Sequence, residues 1–125
     1  MRTVLYIEDS LDNVRLMESI FDEIEDTLLV SVCSAEQGID QVKQALPDLI
    51  LMDINLPGID GITALRLLKE SVKTWDIPVI AVTASARPDD LEIGRIAGFN
   101  GYITKPINIS NLMQVIQKTF EEFEN

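Results

Sequence analysis

Asp48-Leu49-Ile50-Leu51-Met52-Asp53-Ile54-Asn55-Leu56-Pro57-Gly58-Ile59-Asp60-Gly61 holds an apolar run, Leu49 to Met52, that stops on a carboxylate and passes at once into a turn. Four uninterrupted apolar residues suit a strand buried on both faces, and Asp53 then stands where that strand ends. The arrangement recurs along the chain. Val4-Leu5-Tyr6-Ile7 ends in Glu8-Asp9, Val79-Ile80-Ala81-Val82 ends in Thr83, and Tyr102-Ile103 leads into Thr104-Lys105-Pro106. If these four strands are parallel neighbours, three acids, a hydroxyl and an ammonium converge at one sheet edge.

The segments between them read as helices. Leu11, Val14, Leu16, Met17, Ile20, Phe21 and Ile24 recur at three- and four-residue steps after Asp9, the spacing of an amphipathic helix. Leu28 to Val32 suits a further strand, and Ser34 can cap a helix carrying Ala35, Ile39, Val42 and Leu46, with Pro47 as its stop. Residues 55–61 form a turn before a helical face of Ile62, Leu65, Leu68 and Val72. Ser85 to Arg87 reads as a loop, Pro88 suits a first helical turn running on through Leu91 to Ala97, and Gly98 suits its left-handed stop. A last helix spans Ile109 to Phe123.

The order βαβαβαβαβα with short connections predicts an α/β fold: a doubly wound, five-stranded parallel sheet with helices on both faces. Of the doubly wound orders, the flavodoxin-like 2-1-3-4-5 fits five strands, and its switch point lies between the first and third. Glu8-Asp9 and Asp53 end those two strands.

Composition sets further bounds. At 125 residues, 46% hydrophobic and 25% charged, the chain is expected to form one domain, residues 1–125, without disulfides or structural metal. Its net charge of -11 repels nucleic acid phosphates and anionic membranes. With no histidine and one cysteine, an intramolecular disulfide, His-based zinc and Ser-His or Cys-His catalysis are all excluded. Cys33 is expected in the core of a protein kept in a reducing compartment. No stretch has the length of a membrane span or signal peptide, so a cytoplasmic protein is expected.

Glu8, Asp9 and Asp53 carry three negative charges and Lys105 one positive, leaving a deficit of two that a bound Mg²⁺ neutralises. Mg²⁺ favours a few carboxylates together with water and phosphate oxygens. A carboxylate beside it can attack phosphorus and form an aspartyl phosphate, and Asp53 is the candidate. The metal, Lys105 and Thr83 are then the groups available to hold the equatorial oxygens of the transferring phosphoryl.

These residues resemble the receiver domain of two-component response regulators over essentially the whole chain. The resemblance rests on Tyr6-Ile7-Glu8-Asp9-Ser10, on residues 48–61 quoted above, on Pro78-Val79-Ile80-Ala81-Val82-Thr83-Ala84, and on Ala97-Gly98-Phe99-Asn100-Gly101-Tyr102-Ile103-Thr104-Lys105-Pro106-Ile107. It implies that Asp53 accepts a phosphoryl group from the phosphohistidine of a sensor histidine kinase or histidine phosphotransfer protein, so the chain acts as a signalling phosphoacceptor and not as a turnover enzyme. It implies Mg²⁺ bound directly by Asp9, Asp53 and the Asn55 backbone carbonyl, with Glu8 acting through water, and Thr83 and Lys105 on the phosphoryl oxygens. It implies a switch in which Thr83 moves toward the phosphoryl group and Tyr102 turns inward, presenting the face of the fourth and fifth strands and helices to a downstream protein. It also implies a cis Lys105-Pro106 peptide. Glu8 stands where many members carry Asp, a variation within the family's acidic pair.

Two rival readings use the same features. A haloacid-dehalogenase-like phosphatase needs a second acid two positions after its nucleophile, where this chain has Asn55, and usually a cap domain. A flavodoxin-like FMN module needs phosphate donors after the first strand, where Glu8-Asp9 repel phosphate. A calcium loop from Asp53 fails because its fifth and twelfth positions are Pro57 and Ala64. Trp75, in a loop before Pro78, can serve as a partner anchor, but local packing is the expected role, and Glu121-Glu122-Phe123-Glu124 is expected to form a solvated helix end.

Overall fold

A computed structural model describes residues 1–56, 58–84 and 87–123. Pro57 of the expected turn, Ser85 of the expected loop and Glu124 of the acidic end lie outside them. The strands are β1 (Arg2–Ile7), β2 (Thr27–Val32), β3 (Leu49–Asp53), β4 (Val79–Thr83) and β5 (Gly101–Thr104). The helices are α1 (Leu11–Asp22), α2 (Ala35–Gln44), α3 (Gly61–Lys69), α4 (Pro88–Ala97) and α5 (Ile109–Phe123). All strands are parallel in the order 2-1-3-4-5, the doubly wound, flavodoxin-like arrangement expected from the sequence.

The period-two alternation of each strand divides the core between two faces. Leu5, Ile7, Ile50, Met52, Val79 and Ala81 pack with side chains of α2 and α3. Val4, Tyr6, Leu49, Leu51, Ile80, Val82 and Ile103 meet Met17 and Phe21 of α1 and Leu112 and Phe120 of α5 on the other face. Register then levels the strand ends: Ile7 pairs with Met52, Asp53 with Val82, and Thr83 with Thr104.

Ser34, Pro88 and Gly98 act at helix ends as the sequence reading expected, and Asp60, which it did not assign, caps α3. Ser34 accepts a bond from the Gln37 amide at 3.1 Å and Asp60 one from the Thr63 amide at 2.8 Å, each satisfying an orphan donor of the first turn. Pro88 opens α4, and Gly98 closes it at φ 116°. Some apolar residues assigned to buried faces are exposed instead. Helices α2 and α3 end at Gln44 and Lys69, so Leu46 and Val72 fall in the connections that follow, and Leu11 and Leu16 lie on the solvent side of α1. Cys33, expected inside, is exposed just past β2.

Gly61 fixes the path away from the site. Its amide donates to the Ile54 carbonyl at 3.0 Å, and a Cβ added there would lie 2.9 Å from both the Asp53 carbonyl oxygen and the Ile54 Cα. Both are backbone atoms that cannot swing aside. Gly61→Ala should therefore cost about 2 kcal/mol, seen as a lower urea midpoint with an unchanged m-value. An unchanged midpoint would contradict the close approach.

Candidate functional site

The levelled C-terminal ends of β1, β3, β4 and β5 bring the sequence-selected residues to one edge. Carboxylate oxygens of Glu8, Asp9 and Asp53 lie within 4.8 Å of one another, with Glu8 and Asp53 buried and Asp9 exposed at the mouth. Lys105 reaches across from beyond β5. Its Nζ stands 2.9 Å from Glu8 Oε1 and 3.1 Å from Asp53 Oδ2, bridging the two buried acids. The Lys105 amide donates to the Thr83 carbonyl at 2.8 Å, and the Lys105-Pro106 peptide is cis.

The two buried acids are not equivalent. Glu8 Oε1 accepts from the Tyr6 hydroxyl at 3.0 Å, the Asn13 side-chain amide at 3.1 Å and Lys105, while Oε2 accepts from the Ser10 amide at 3.3 Å. Among the described residues Asp53 has two donors, the Asn55 amide on Oδ1 at 3.0 Å and Lys105 on Oδ2. Burial alone would raise the Glu8 pKa, but hydrogen bonding with Asp53 and Lys105 overcomes it and brings Glu8 down to about 2. For Asp53, burial and the neighbouring Glu8 outweigh Asn55 and Lys105, so its carboxyl is held above the usual range. Burial works against the Lys105 ammonium, yet the two carboxylates raise its pKa overall. Burial, reinforced by Glu8, pushes the Tyr6 phenol far above its ordinary value.

Tyr6 and Asn13 are the members of this network that sequence reading missed. Tyr6 stands two residues before Glu8 on the same face of the strand, and Asn13 lies in the first turn of α1, whose cap is Ser10. Those spacings were the available signals.

Thr83 is buried one position beyond the Asp53 partner Val82, beside a depression lined in part by Asn55, Ile62 and Ile93. Tyr102 lies farther back on β5. Its ring packs against the core and its hydroxyl donates to the Leu91 carbonyl of α4 at 2.8 Å. Gly94 makes that placement possible, because a Cβ there would meet the Tyr102 hydroxyl at 2.8 Å. The arrangement thus groups Glu8, Asp9, Asp53 and Lys105 directly, with Thr83 and Asn55 beside them and Tyr102 behind.

Known proteins resemble this chain in sequence and fold. The family model of the response regulator receiver domain matches residues 4–117. The polar-differentiation response regulator DivK of Brucella ovis is 34% identical over 116 residues, covering 93% of this chain and 94% of its own. Among solved structures, the Mn²⁺-bound form of response regulator Rcp1 has a TM-score of 0.80 at 27% identity, covering 96% of this chain and 92% of that one. The phosphorylated cyanobacterial phytochrome response regulator RcpA has a TM-score of 0.77 at 28% identity, covering 99% and 94%. Neither the dehalogenase-like nor the FMN reading is supported. A parallel sheet in the order 2-1-3-4-5 with acids and a lysine grouped at its C-terminal edge, together with a match to nearly all of the sequence, means that the chain belongs to the response regulator receiver family of two-component signalling.

Proposed function

We propose that Asp53 is the phosphoacceptor. The observation that carries this reading is a buried carboxylate with few donors, set beside two further acids and one ammonium. One oxygen of Asp53 attacks phosphorus, the P–N bond to the donor imidazole breaks, and the leaving nitrogen keeps the electron pair. The donor histidine belongs to a sensor kinase or phosphotransfer protein, since this chain has none. Lys105 lies against Asp53 and Thr83 next to it, in position to receive the phosphoryl oxygens.

The donor set fits Mg²⁺: three carboxylates within 4.8 Å offer hard oxygens and carry more negative charge than Lys105 cancels. Asp9, Asp53 and the Asn55 carbonyl would hold the ion, and Glu8, already engaged by four donors, would act through water. Bound there, Mg²⁺ supplies charge neutralisation for the transferring phosphoryl. The manganese in the Rcp1 structure and the phosphorylated state of RcpA support both parts of this reading.

The output is a conformational shift read by a protein partner, with no turnover of a substrate and a cytoplasmic setting. The depression beside Thr83 leaves room for its hydroxyl to move, and Tyr102 joins β5 to α4. A phosphoryl group contacting Thr83 in only one state therefore biases the α4, β5 and α5 face.

Removing either buried acid tests its electrostatic role, with opposite signs. The Asp53 pKa is raised, so its stabilising contribution is full below the ordinary value of 3.8 and is lost as pH rises through the folded value. Asp53→Asn should raise metal-free stability at neutral pH. The Glu8 contribution is present above 4.5 and lost as pH falls through about 2. Glu8→Gln should therefore lower neutral stability by about 2 kcal/mol. Thermal melts that move in the same direction for both variants would contradict the assigned charges.

Incubation with a small acyl phosphate and Mg²⁺ should add one alkali-labile phosphate by intact mass. Amide NMR shifts should then spread to α4, β5 and α5, and Thr83→Ala should keep the phosphate while shrinking that response. A modification persisting in Asp53→Ala, or forming equally in excess chelator, would overturn the reading.

A further inference from the structure

The end of the sheet away from Asp53 carries a pattern that phosphoryl chemistry does not use. Bonds from the Arg2 amide to the Asp26 carbonyl, from the Asp48 amide to the Thr3 carbonyl and from the Ile50 amide to the Pro78 carbonyl set the starts of β2, β1, β3 and β4 side by side. Four large apolar side chains are exposed in the connections at this end: Met1 at 87%, Leu46 at 59%, Val72 at 87% and Trp75 at 57%. Trp75, expected to pack locally, is instead held out on a fixed loop. The Lys69 ammonium donates to the Trp75 carbonyl at 3.1 Å, the Thr74 hydroxyl to the Leu68 carbonyl at 2.6 Å, and the Trp75 amide to the Ser71 carbonyl at 2.9 Å. A rigidly displayed indole among exposed aliphatics is the usual make-up of an interface anchor.

Charge selects the occupant. Before β2, Asp22, Glu23, Glu25 and Asp26 are all exposed, and these four acids outnumber the neighbouring Arg2, which lines one depression with Glu25 and Asp26. Before β4, Arg66 pairs with Glu70 and Lys69 bonds the Trp75 and Ile77 carbonyls, which leaves the exposed Lys73 as the cation this connection offers outward. The two regions are three strand spacings apart, roughly 14 Å, and in the strand order Met1 precedes β1, Leu46 precedes β3, and Val72 and Trp75 precede β4. A two-fold axis in the plane of this end lays the acidic side of one copy on the Lys73 side of the other, twice over, and the apolar residues meet in the middle.

We propose that two copies of this chain pair through this end of the sheet, with Trp75 as the anchor and Lys73 facing the acidic α1–β2 connection of the other copy. The phosphoacceptor edge stays open on both, so the pair can form whether or not Asp53 is phosphorylated.

Sedimentation of the full chain across a concentration series tests the pairing. The mass should rise from 14.0 kDa toward twice that value. Trp75→Glu, at an exposed position, should weaken pairing by at least about tenfold while leaving the far-UV circular dichroism spectrum and Asp53 phosphorylation unchanged. Lys73→Glu should weaken it too, and Lys73→Glu with Glu25→Lys in one chain should recover it. A mass fixed at 14.0 kDa up to millimolar concentration, or a dimer indifferent to Trp75→Glu, would overturn the proposal. Failure of the double exchange to recover pairing would overturn the two-fold arrangement. Neither result would touch the phosphoacceptor reading, which rests on the opposite edge.

Discussion

The Lys105 ammonium between Glu8 and Asp53 is the contact on which the site depends. Two carboxylates this close and this buried cannot both be ionised cheaply without a cation, and Lys105 is the cation the fold supplies. One ammonium does not balance Glu8, Asp9 and Asp53 together. The residual negative charge makes the edge receptive to a divalent ion, and burial of Asp53 keeps water from solvating the charge instead.

Holding that contact requires the sheet. Lys105 and Asp53 are 52 residues apart and meet because β3, β4 and β5 are adjacent and level. The apolar alternation that buries Leu51 on one face and Met52 on the other sets Asp53, the last residue of β3, on the Leu51 face at the C-terminal end of the strand. Gly61 and the Asn55 amide then hold the chain just past Asp53 in a single path. Stability and the placement of the reactive group therefore arise from the same packing.

Much of this was legible in the sequence because buried parallel strands are continuous apolar runs, and their ends are marked by the first polar residue. That rule located Glu8, Asp9, Asp53 and Thr83, and with Lys105 beyond the last strand it anticipated their grouping. It did not find Tyr6 or Asn13, since a tyrosine inside an apolar run reads as core and an asparagine between the apolar positions of an amphipathic helix reads as its polar face. Periodicity also misjudged Leu46 and Val72. Both continue a helical spacing, but the helices had already ended, and only tertiary structure shows that no neighbour covers them. Cys33 and Trp75 failed for a related reason: burial preferences by residue type say nothing about which loop lacks a partner.

The most direct measurement is the titration of the Asp53 carboxyl by carbon NMR, first without divalent cation and then with Mg²⁺. The expected result is a metal-free pKa above the ordinary 3.8, because burial and Glu8 outweigh Lys105, and a fall well below that starting point when Mg²⁺ is added. An Asp53 that titrates at its ordinary value and ignores Mg²⁺ would contradict the claim that this edge is an under-neutralised acid cluster built around a phosphoacceptor.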